Sequence, residues 1–171
     1  MTSRARREAP TTAPAERARE LALAMLTRGP RSSADLRERL ISKEIEPDVA
    51  DEVIARYREV GLLDDESLAA TIARTRHAER GLAPRAISQE LRRKGFGEEH
   101  IQAALEPLTA EVQEDRAREL AAKRWHKDSA ASPDARVRRT VAFLARKGYA
   151  ASLAFALVRD LQRADSETGG N

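Results

Sequence analysis

The chain has 171 residues, a formal net charge of +3 and no cysteine, which excludes disulfides, thiolate metal sites and thiol nucleophiles. Apolar residues make up 41% of the chain and aromatic residues only 4%, so a core must come from aliphatic side chains and alanine. With abundant arginine and glutamate, this composition favours helices over sheets. The chain has no apolar run long enough to span a membrane and no signal-sequence pattern at its start, so we expect a cytoplasmic protein.

Helical signals fill the chain between two polar ends. Residues 1–15 form a basic segment without apolar periodicity, and residues 164–171 are mostly small and polar. We expect both ends to be disordered tails. The intervening chain has no alternating strand pattern, which predicts an all-α fold.

Proline and short polar residues mark the expected helix starts. Proline suits a first helical position because it lacks only an amide that would be unpaired there. The prolines so placed are Pro47, Pro84 and Pro133. Ser32 or Ser33 is expected to cap a helix that begins near Asp35, and Asp64 is expected to cap a later one.

Glycines mark the expected helix ends, because a left-handed residue closes the last turn of many helices. They are Gly61, Gly81, Gly95 and Gly148. The last two share a context, Lys-Gly-Phe at 94–96 and Lys-Gly-Tyr at 147–149. Each places a cation at the helix end and an apolar residue after the glycine.

Aligning those two turns reveals an internal repeat. Gly95 lies 53 residues before Gly148 and 51 residues after Glu44, and the helices on both sides of the turn then keep their apolar positions. Before the turn these are Leu36 and Leu40, Ile87 and Leu91, and Thr140 and Leu144. After the turn they are Ala50, Val53, Ile54 and Tyr57; Ile101, Ala104, Leu105 and Leu108; and Ala154, Leu157, Val158 and Leu161. Two helices that keep one register in three copies predict three tandem three-helix repeats.

The predicted repeats cover residues 16–60, 61–108 and 109–163. A unit of this size buries little surface by itself, so the repeats are expected to stack into a curved, elongated monomer. The first helix of the third repeat is expected to run on from the second repeat, since Pro107 is the only break between them.

Acidic and basic residues alternate in blocks. Residues 35–67 carry eleven acidic and five basic side chains, whereas residues 68–97 carry two acidic and seven basic ones. Residues 98–115 carry six acids and no lysine or arginine, and residues 116–147 carry three acids and ten basic residues. The blocks predict a bipolar surface, with ordinary charged helix faces as the alternative.

The basic residues of the second and third repeats are the candidate binding surface. Arginine dominates there, and its fork suits phosphate or carboxylate, so the expected ligand is nucleic-acid backbone, an acidic protein surface, or both. The candidates in the second repeat are Arg74, Arg76, Arg80, Arg85, Arg92, Arg93 and Lys94. Those in the third repeat are Lys123, Arg124, Arg136, Arg138, Arg139, Arg146 and Lys147.

The sequence offers no catalytic or cofactor motif, so we predict a binding protein without cofactor or metal. A phosphate-binding glycine loop is missing, and the histidines are too widely spaced for a metal site and are expected to face solvent. They are His77, His100 and His126. The acidic cluster at 64–66 is expected to stabilise a helix start. Trp125 either stacks on a base or is a buried anchor of the third repeat, and burial is favoured.

Three segments resemble the signature of the RecX family. They are GLLDDESLA at 61–69, ISQELRRKGF at 87–96 and FLARKGY at 143–149, with a further glycine at 81. The motif positions to which the resemblance gives a structural role are Gly61, Asp64, Asp65, Ala69, Gly81, Ile87, Leu91, Gly95 and Gly148. The family usually has aromatic residues at Leu62 and Leu68, while Glu44 stands where the other two repeats have glycine.

The resemblance implies three tandem three-helix repeats and a regulator of the RecA recombinase. Such proteins bind the RecA–DNA filament and inhibit its ATPase, strand-exchange and co-protease activities, which modulates recombination, DNA repair and the SOS response. Direct DNA binding is expected to be weak and sequence-tolerant. The main alternative is a helical DNA-binding protein that acts independently of RecA, and another is a protein–protein adaptor unrelated to recombination.

Overall fold

The computed structural model of the chain describes residues 12–168, and this part consists of nine helices without a strand. The helices form three groups of three, as the repeat predicts. The first group is α1 (Thr12–Thr27), α2 (Ser33–Ile41) and α3 (Pro47–Glu59). The second is α4 (Asp65–Arg80), α5 (Pro84–Arg93) and α6 (Glu98–Leu105). The third is α7 (Ala110–Lys127), α8 (Pro133–Arg146) and α9 (Ala151–Thr168).

Helix starts lie where proline and short polar residues predict them. The three prolines are the first residues of α3, α5 and α8. Ser32 is the N-cap of α2, and its hydroxyl accepts a hydrogen bond from the Asp35 amide. Asp64 accepts one from the Ser67 amide, 2.9 Å away, at the start of α4. Local capping therefore sets these boundaries.

The turn after the second helix of each repeat has a left-handed residue. Gly95 has φ +82° and Gly148 has φ +93°, whereas the first repeat places Glu44 there, with φ +62°. Ile45 and Tyr149 follow such turns, are buried, and donate backbone hydrogen bonds to the carbonyls of Leu40 and Leu144. Glu44 therefore adopts the left-handed conformation, which is unfavourable for any residue with a side chain.

The first helix of each repeat buries two alanines one turn apart, a feature that the sequence reasoning missed. All six side chains are fully buried. They are Ala18 and Ala22 in α1, Ala69 and Ala73 in α4, and Ala117 and Ala121 in α7. Small side chains at this spacing allow neighbouring helices to approach closely.

Contacts divide the chain into two compact units. The first contains the chain up to Leu68 together with Lys94–Phe96, and the second contains Ala69–Arg93 and the chain from Gly97 onward. The core of the first unit is formed by Ala18, Ala22, Leu36, Leu40, Ile45, Ala50, Val53, Ile54, Tyr57 and Leu63. A core in the second is formed by Ala83, Ala117, Ala121, Leu144, Tyr149, Ala154 and Leu157.

One expectation about an individual side chain is wrong. His77 is buried, and its Nδ1 lies 2.9 Å from the Leu82 carbonyl oxygen. It follows the buried alanines by one turn, at the position that Trp125 occupies in the third repeat, so its register places it in the core. Leu62, where the family usually has an aromatic residue, is 52% exposed and lies in the turn after α3.

Three expectations about the backbone are also wrong. Helix α1 begins at Thr12, inside the predicted N-terminal tail, while residues 1–11 lie outside the described residues. Helix α9 continues to Thr168, since the carboxylate of Asp165 accepts hydrogen bonds from Trp125 and Arg136. Helix α7 does not continue from α6, because Thr109 caps a new helix through the Val112 amide.

Candidate functional site

Consecutive repeats meet in the same way at two places, which we call the first and second joint. At the first joint, the Ser32 hydroxyl donates a 2.6 Å hydrogen bond to the Lys94 carbonyl oxygen. The missing side chain of Gly95 matters there, since a Cβ atom on it would lie 3.1 Å from Ser32 Oγ and 3.4 Å from Ala34 Cβ. The turn that ends α5 thus lies against the start of α2.

At the second joint, the turn that ends α8 lies against the start of α5. The Ala83 amide donates a 2.9 Å hydrogen bond to the Lys147 carbonyl oxygen. A Cβ atom on Gly148 would lie 2.9 Å from Ala86 Cβ and 3.1 Å from the Ala86 nitrogen. Ser32 and Ala83 are equivalent in the repeat register, as are Gly95 and Gly148. The joint is therefore itself repeated.

Asp65 lies next to the first joint and holds the start of α2. Its carboxylate accepts hydrogen bonds from the Ser33 amide at 2.8 Å and the Ser33 hydroxyl at 3.2 Å. Arg58 lies 3.8 Å from the same carboxylate and also donates to the Ser33 hydroxyl. These contacts give Asp65 a structural role that explains the acidic residue at this position.

The structure divides the fourteen candidate cations by their partners. Arg76 pairs with Glu90 at 2.8 Å, and hydrogen bonding to Glu90 raises the pKa of this arginine. Arg92 pairs with Glu98, which likewise raises its pKa. Lys123 lies 2.6 Å from a Glu119 oxygen. Such pairs neutralise charge locally and lower the attraction for an anionic partner.

Three further candidates have partners within the third repeat. The Arg136 guanidinium stacks 4.0 Å from the Trp125 ring centre and lies 2.8 Å from Asp165. Trp125 itself is buried, which confirms the anchor interpretation over base stacking. Arg124 and Arg139 both approach Asp128, at 2.7 and 3.6 Å.

Lys147 belongs to the second joint through its side chain as well as its carbonyl. Its Nζ atom donates a 2.6 Å hydrogen bond to the Arg80 carbonyl oxygen and lies 5.1 Å from the Phe143 ring centre. Burial, followed by the charge of Arg116, lowers the pKa of Lys147. This lysine therefore contributes to the packing of the second joint.

Six candidates are exposed and have no ion-pair partner among the described residues. They are Arg74, Arg80, Arg85, Arg93, Arg138 and Arg146. Lys94 is exposed too, but it interacts with another residue and is therefore not counted among the six. Arg85 and Arg146 line one cleft of about 310 Å³ beside the second joint. Gln89 lines it as well, and sequence reasoning missed this residue although it lies one helical turn after Arg85.

Within residues 12–168, no group of three or more histidine, aspartate or glutamate side chains is arranged to hold a metal ion. No described helix is long and apolar enough to cross a membrane.

Models of all three domains of one family match the chain. The first three-helix domain of RecX matches residues 18–56, the second matches residues 64–105 and the third matches residues 111–158. The chain belongs to the RecX family. Each matched segment includes most of one of the three helix groups described above.

Curated relatives agree with the RecX assignment. The regulatory protein RecX of Streptomyces coelicolor is 39% identical over 165 residues, which cover 96% of this chain and 88% of the relative. The regulatory protein RecX of Thermobifida fusca is 42% identical over 144 residues, which cover 84% of this chain and 78% of the relative. These matches support a regulatory role.

Solved RecX structures have the same fold. A RecX crystal structure from Lactobacillus salivarius superposes with a TM-score of 0.75 at 22% identity, over 87% of this chain and 97% of that one. A crystal structure described as regulatory protein RecX gives a TM-score of 0.71 at 27% identity, over 86% of this chain and 72% of that one. The tandem three-helix domains are therefore a shared RecX architecture.

Apart from Asp64, which caps α4, and Asp65, which binds Ser33 at the first joint, the RecX motif residues of this chain fall into two structural groups. Ala69, Ile87 and Leu91 are fully buried. The glycines have positive φ and close the turns after α3, α4, α5 and α8; they are Gly61, Gly81, Gly95 and Gly148. The motif thus describes helix ends, joints and core.

Proposed function

We propose that this RecX-family chain binds the RecA–DNA filament as a cytoplasmic monomer and inhibits RecA. The inhibited activities are DNA-dependent ATP hydrolysis, strand exchange and co-protease activity, which places the protein in the control of recombination, DNA repair and the SOS response. The observation that carries the proposal is the match of all three RecX domains along one chain. The protein acts by binding and not by catalysis.

The unpaired arginines support a contact with an anionic partner. Six exposed guanidinium groups of repeats two and three have no carboxylate within ion-pair distance in the part of the chain that the structure describes. A partner that supplies phosphate or carboxylate gains these interactions without first breaking a pair. Any direct DNA contact is weak, sequence-tolerant and strongly salt-dependent.

The decisive experiment adds the purified chain to RecA on single-stranded DNA, at less than one chain per RecA. We expect ATP hydrolysis by RecA to fall and the chain to sediment with the filament, while the chain alone hydrolyses no ATP. Unchanged hydrolysis at every ratio would exclude the RecA proposal. Binding to DNA with an unaltered RecA activity would favour the alternative, a DNA-binding protein independent of RecA.

A pair of variants locates the contact surface. Arg93→Ala with Arg138→Ala removes two unpaired arginines from α5 and α8, and Arg28→Ala with Arg159→Ala removes two exposed arginines from elsewhere. We expect the first variant to need about tenfold more protein for half-inhibition of RecA, and the second to behave as the wild type. Equal inhibition by both, with unchanged circular dichroism, would remove Arg93 and Arg138 from the contact.

A further inference from the structure

The cleft beside the second joint has a polar rim and a floor of small residues. Its walls come from the exposed face of α5, the end of α8 and the turn that follows α8. It has a volume of about 310 Å³ and is lined by Arg85, Ala86, Gln89, Ala145, Arg146, Gly148 and Tyr149. Gly148 approaches Ala86 closely, since a Cβ atom on this glycine would lie 2.9 Å from Ala86 Cβ.

All charge in the lining of this cleft is positive. Arg85 comes from the first turn of α5 and Arg146 from the last turn of α8, and neither has a carboxylate of residues 12–168 within ion-pair distance. The first turn of α5 contains no acidic residue, so the positive end of the helix dipole is not compensated there. Two guanidinium groups and one glutamine amide therefore line the same cleft.

Two other arginines of the second repeat form ion pairs with carboxylates. Arg76 donates twice to Glu90 at 2.9 Å, and Arg92 is held by Glu98 on the same face of α5 as Arg85. Among the described residues, acids therefore pair with two arginines of repeat two and none pairs with Arg85. An anionic ligand in the cleft would meet guanidinium groups that are not already in ion pairs.

We infer that this cleft binds a phosphate group of a nucleic-acid backbone. Guanidinium groups are donors only, and their fork matches two phosphate oxygens. Tyr149 is 5% exposed and the other uncharged lining residues are alanine, glycine and glutamine, so the cleft has no exposed ring for a base and no apolar pocket for a peptide side chain. Protein partners bind through such apolar anchors, whereas phosphate needs only the donors.

Arginines on both helices extend the site beyond a single phosphate. Arg138 lies eight residues before Arg146 on α8, about 12 Å along the axis, and Arg93 lies eight residues after Arg85 on α5. Eight residues are two helical turns plus about 80°, so each cleft arginine has a further arginine along its helix and to one side of it, without an ion-pair partner among the described residues. The backbone of one strand contacts the cleft and continues along these arginines without base-specific recognition.

This inference deepens the proposed function by naming where its DNA partner binds, and its test uses no RecA. The full chain is titrated into fluorescein-labelled thymidine 30-mer, and fluorescence anisotropy is measured from low to moderate salt. We expect Arg85→Ala with Arg146→Ala to weaken binding about tenfold at low salt. Loss of two phosphate contacts should also reduce the slope of log affinity against log salt by about 1.4.

Two matched variants separate a site from general charge. Arg28→Ala with Arg159→Ala removes the same net charge outside the cleft and should keep wild-type affinity and slope. Arg85→Lys with Arg146→Lys keeps the charge and should keep the slope, with a loss of affinity of about threefold because the fork is lost. All four residues are exposed, so thermal melts should show that each variant folds.

Three outcomes would overturn the inference: no binding of DNA by the wild type, wild-type affinity in Arg85→Ala with Arg146→Ala, or an equal loss in the Arg28 and Arg159 variant. A cleft variant that loses RecA inhibition but keeps DNA binding would assign the cleft to an acidic protein surface instead. A cleft variant that loses DNA binding but keeps RecA inhibition would support the phosphate site and place the RecA contact elsewhere.

Discussion

The two joints share one backbone geometry and differ in their chemistry. In both, the carbonyl before a left-handed glycine accepts a hydrogen bond from the start of the preceding repeat's second helix. The donor is the Ser32 hydroxyl at the first joint and the Ala83 amide at the second. The comparison teaches that close backbone approach, and not a particular side chain, makes the joint.

The joints also differ in charge. By the repeat register, Arg85 and Gln89 of the second joint correspond to Ala34 and Glu38, so the first joint lacks an arginine and has an acid at these positions. Ala34 is part of the Gly95 contact at the first joint, whereas Gly148 meets Ala86 and neither Arg85 nor Gln89 at the second. The polar side chains of the second joint can therefore change without altering the contact that Gly148 makes.

The largest expected difference between the joints comes from their glycines. Gly148→Ala should cost about 3 kcal/mol or more, because its Cβ would meet backbone and Cβ atoms of Ala86 in addition to the strain at φ +93°. Gly95→Ala should cost about 1–2 kcal/mol, since Ser32 Oγ can shift. Denaturant melts measure both, and a Gly95 variant that is the less stable of the two would contradict the geometry.

Ser32→Ala tests the hydrogen bond that distinguishes the first joint. It removes both the cap of α2 and the 2.6 Å bond to the Lys94 carbonyl, so we expect a loss of about 2 kcal/mol. The control is Ser132→Ala, which removes only the exposed cap of α8 and should cost about 0.5–1 kcal/mol. Equal losses in denaturant melts would mean that the joint bond contributes nothing.

Glu44→Gly extends the comparison to a turn that takes no part in either joint. Glu44 is exposed, so the close approach that requires glycine at 95 and 148 does not operate there, but its φ of +62° still carries strain. Replacement by glycine should stabilise the chain by about 1 kcal/mol. A lower melting temperature for the glycine variant would show that the glutamate side chain has a stabilising role.

The smallest effect concerns pH, where only the second joint is expected to respond. Burial raises the pKa of Tyr149 to about 12, whereas the first joint has Phe96 in this position. The folded state holds the proton more tightly, so its contribution is present below the ordinary tyrosine pKa near 10 and is lost between about pH 10 and 12. Tyr149→Phe should flatten the stability profile in that range, and an unchanged profile would contradict the shift.

The sequence by itself determined the helices and their repeat. Proline at a first helical position and glycine at an end act through the nearest amides and carbonyls, so Pro84 and Gly95 mark boundaries wherever the helix lies in the fold. The apolar period likewise identified buried residues such as Leu91 and Leu144 without knowledge of their neighbours. Local physics was sufficient for these features.

Only the tertiary structure decided which cations are available. Arg76 and Glu90 are 14 residues apart and Arg136 and Asp165 are 29 apart, so their pairing depends on how helices pack. The contacts of Asp165 with Trp125 and Arg136 also extend α9 beyond its predicted end. Charge counts along the chain treat a paired and an unpaired arginine alike, because an ion pair forms by distance in space and not in sequence. The cleft arginines could therefore be recognised only after the helices were in place.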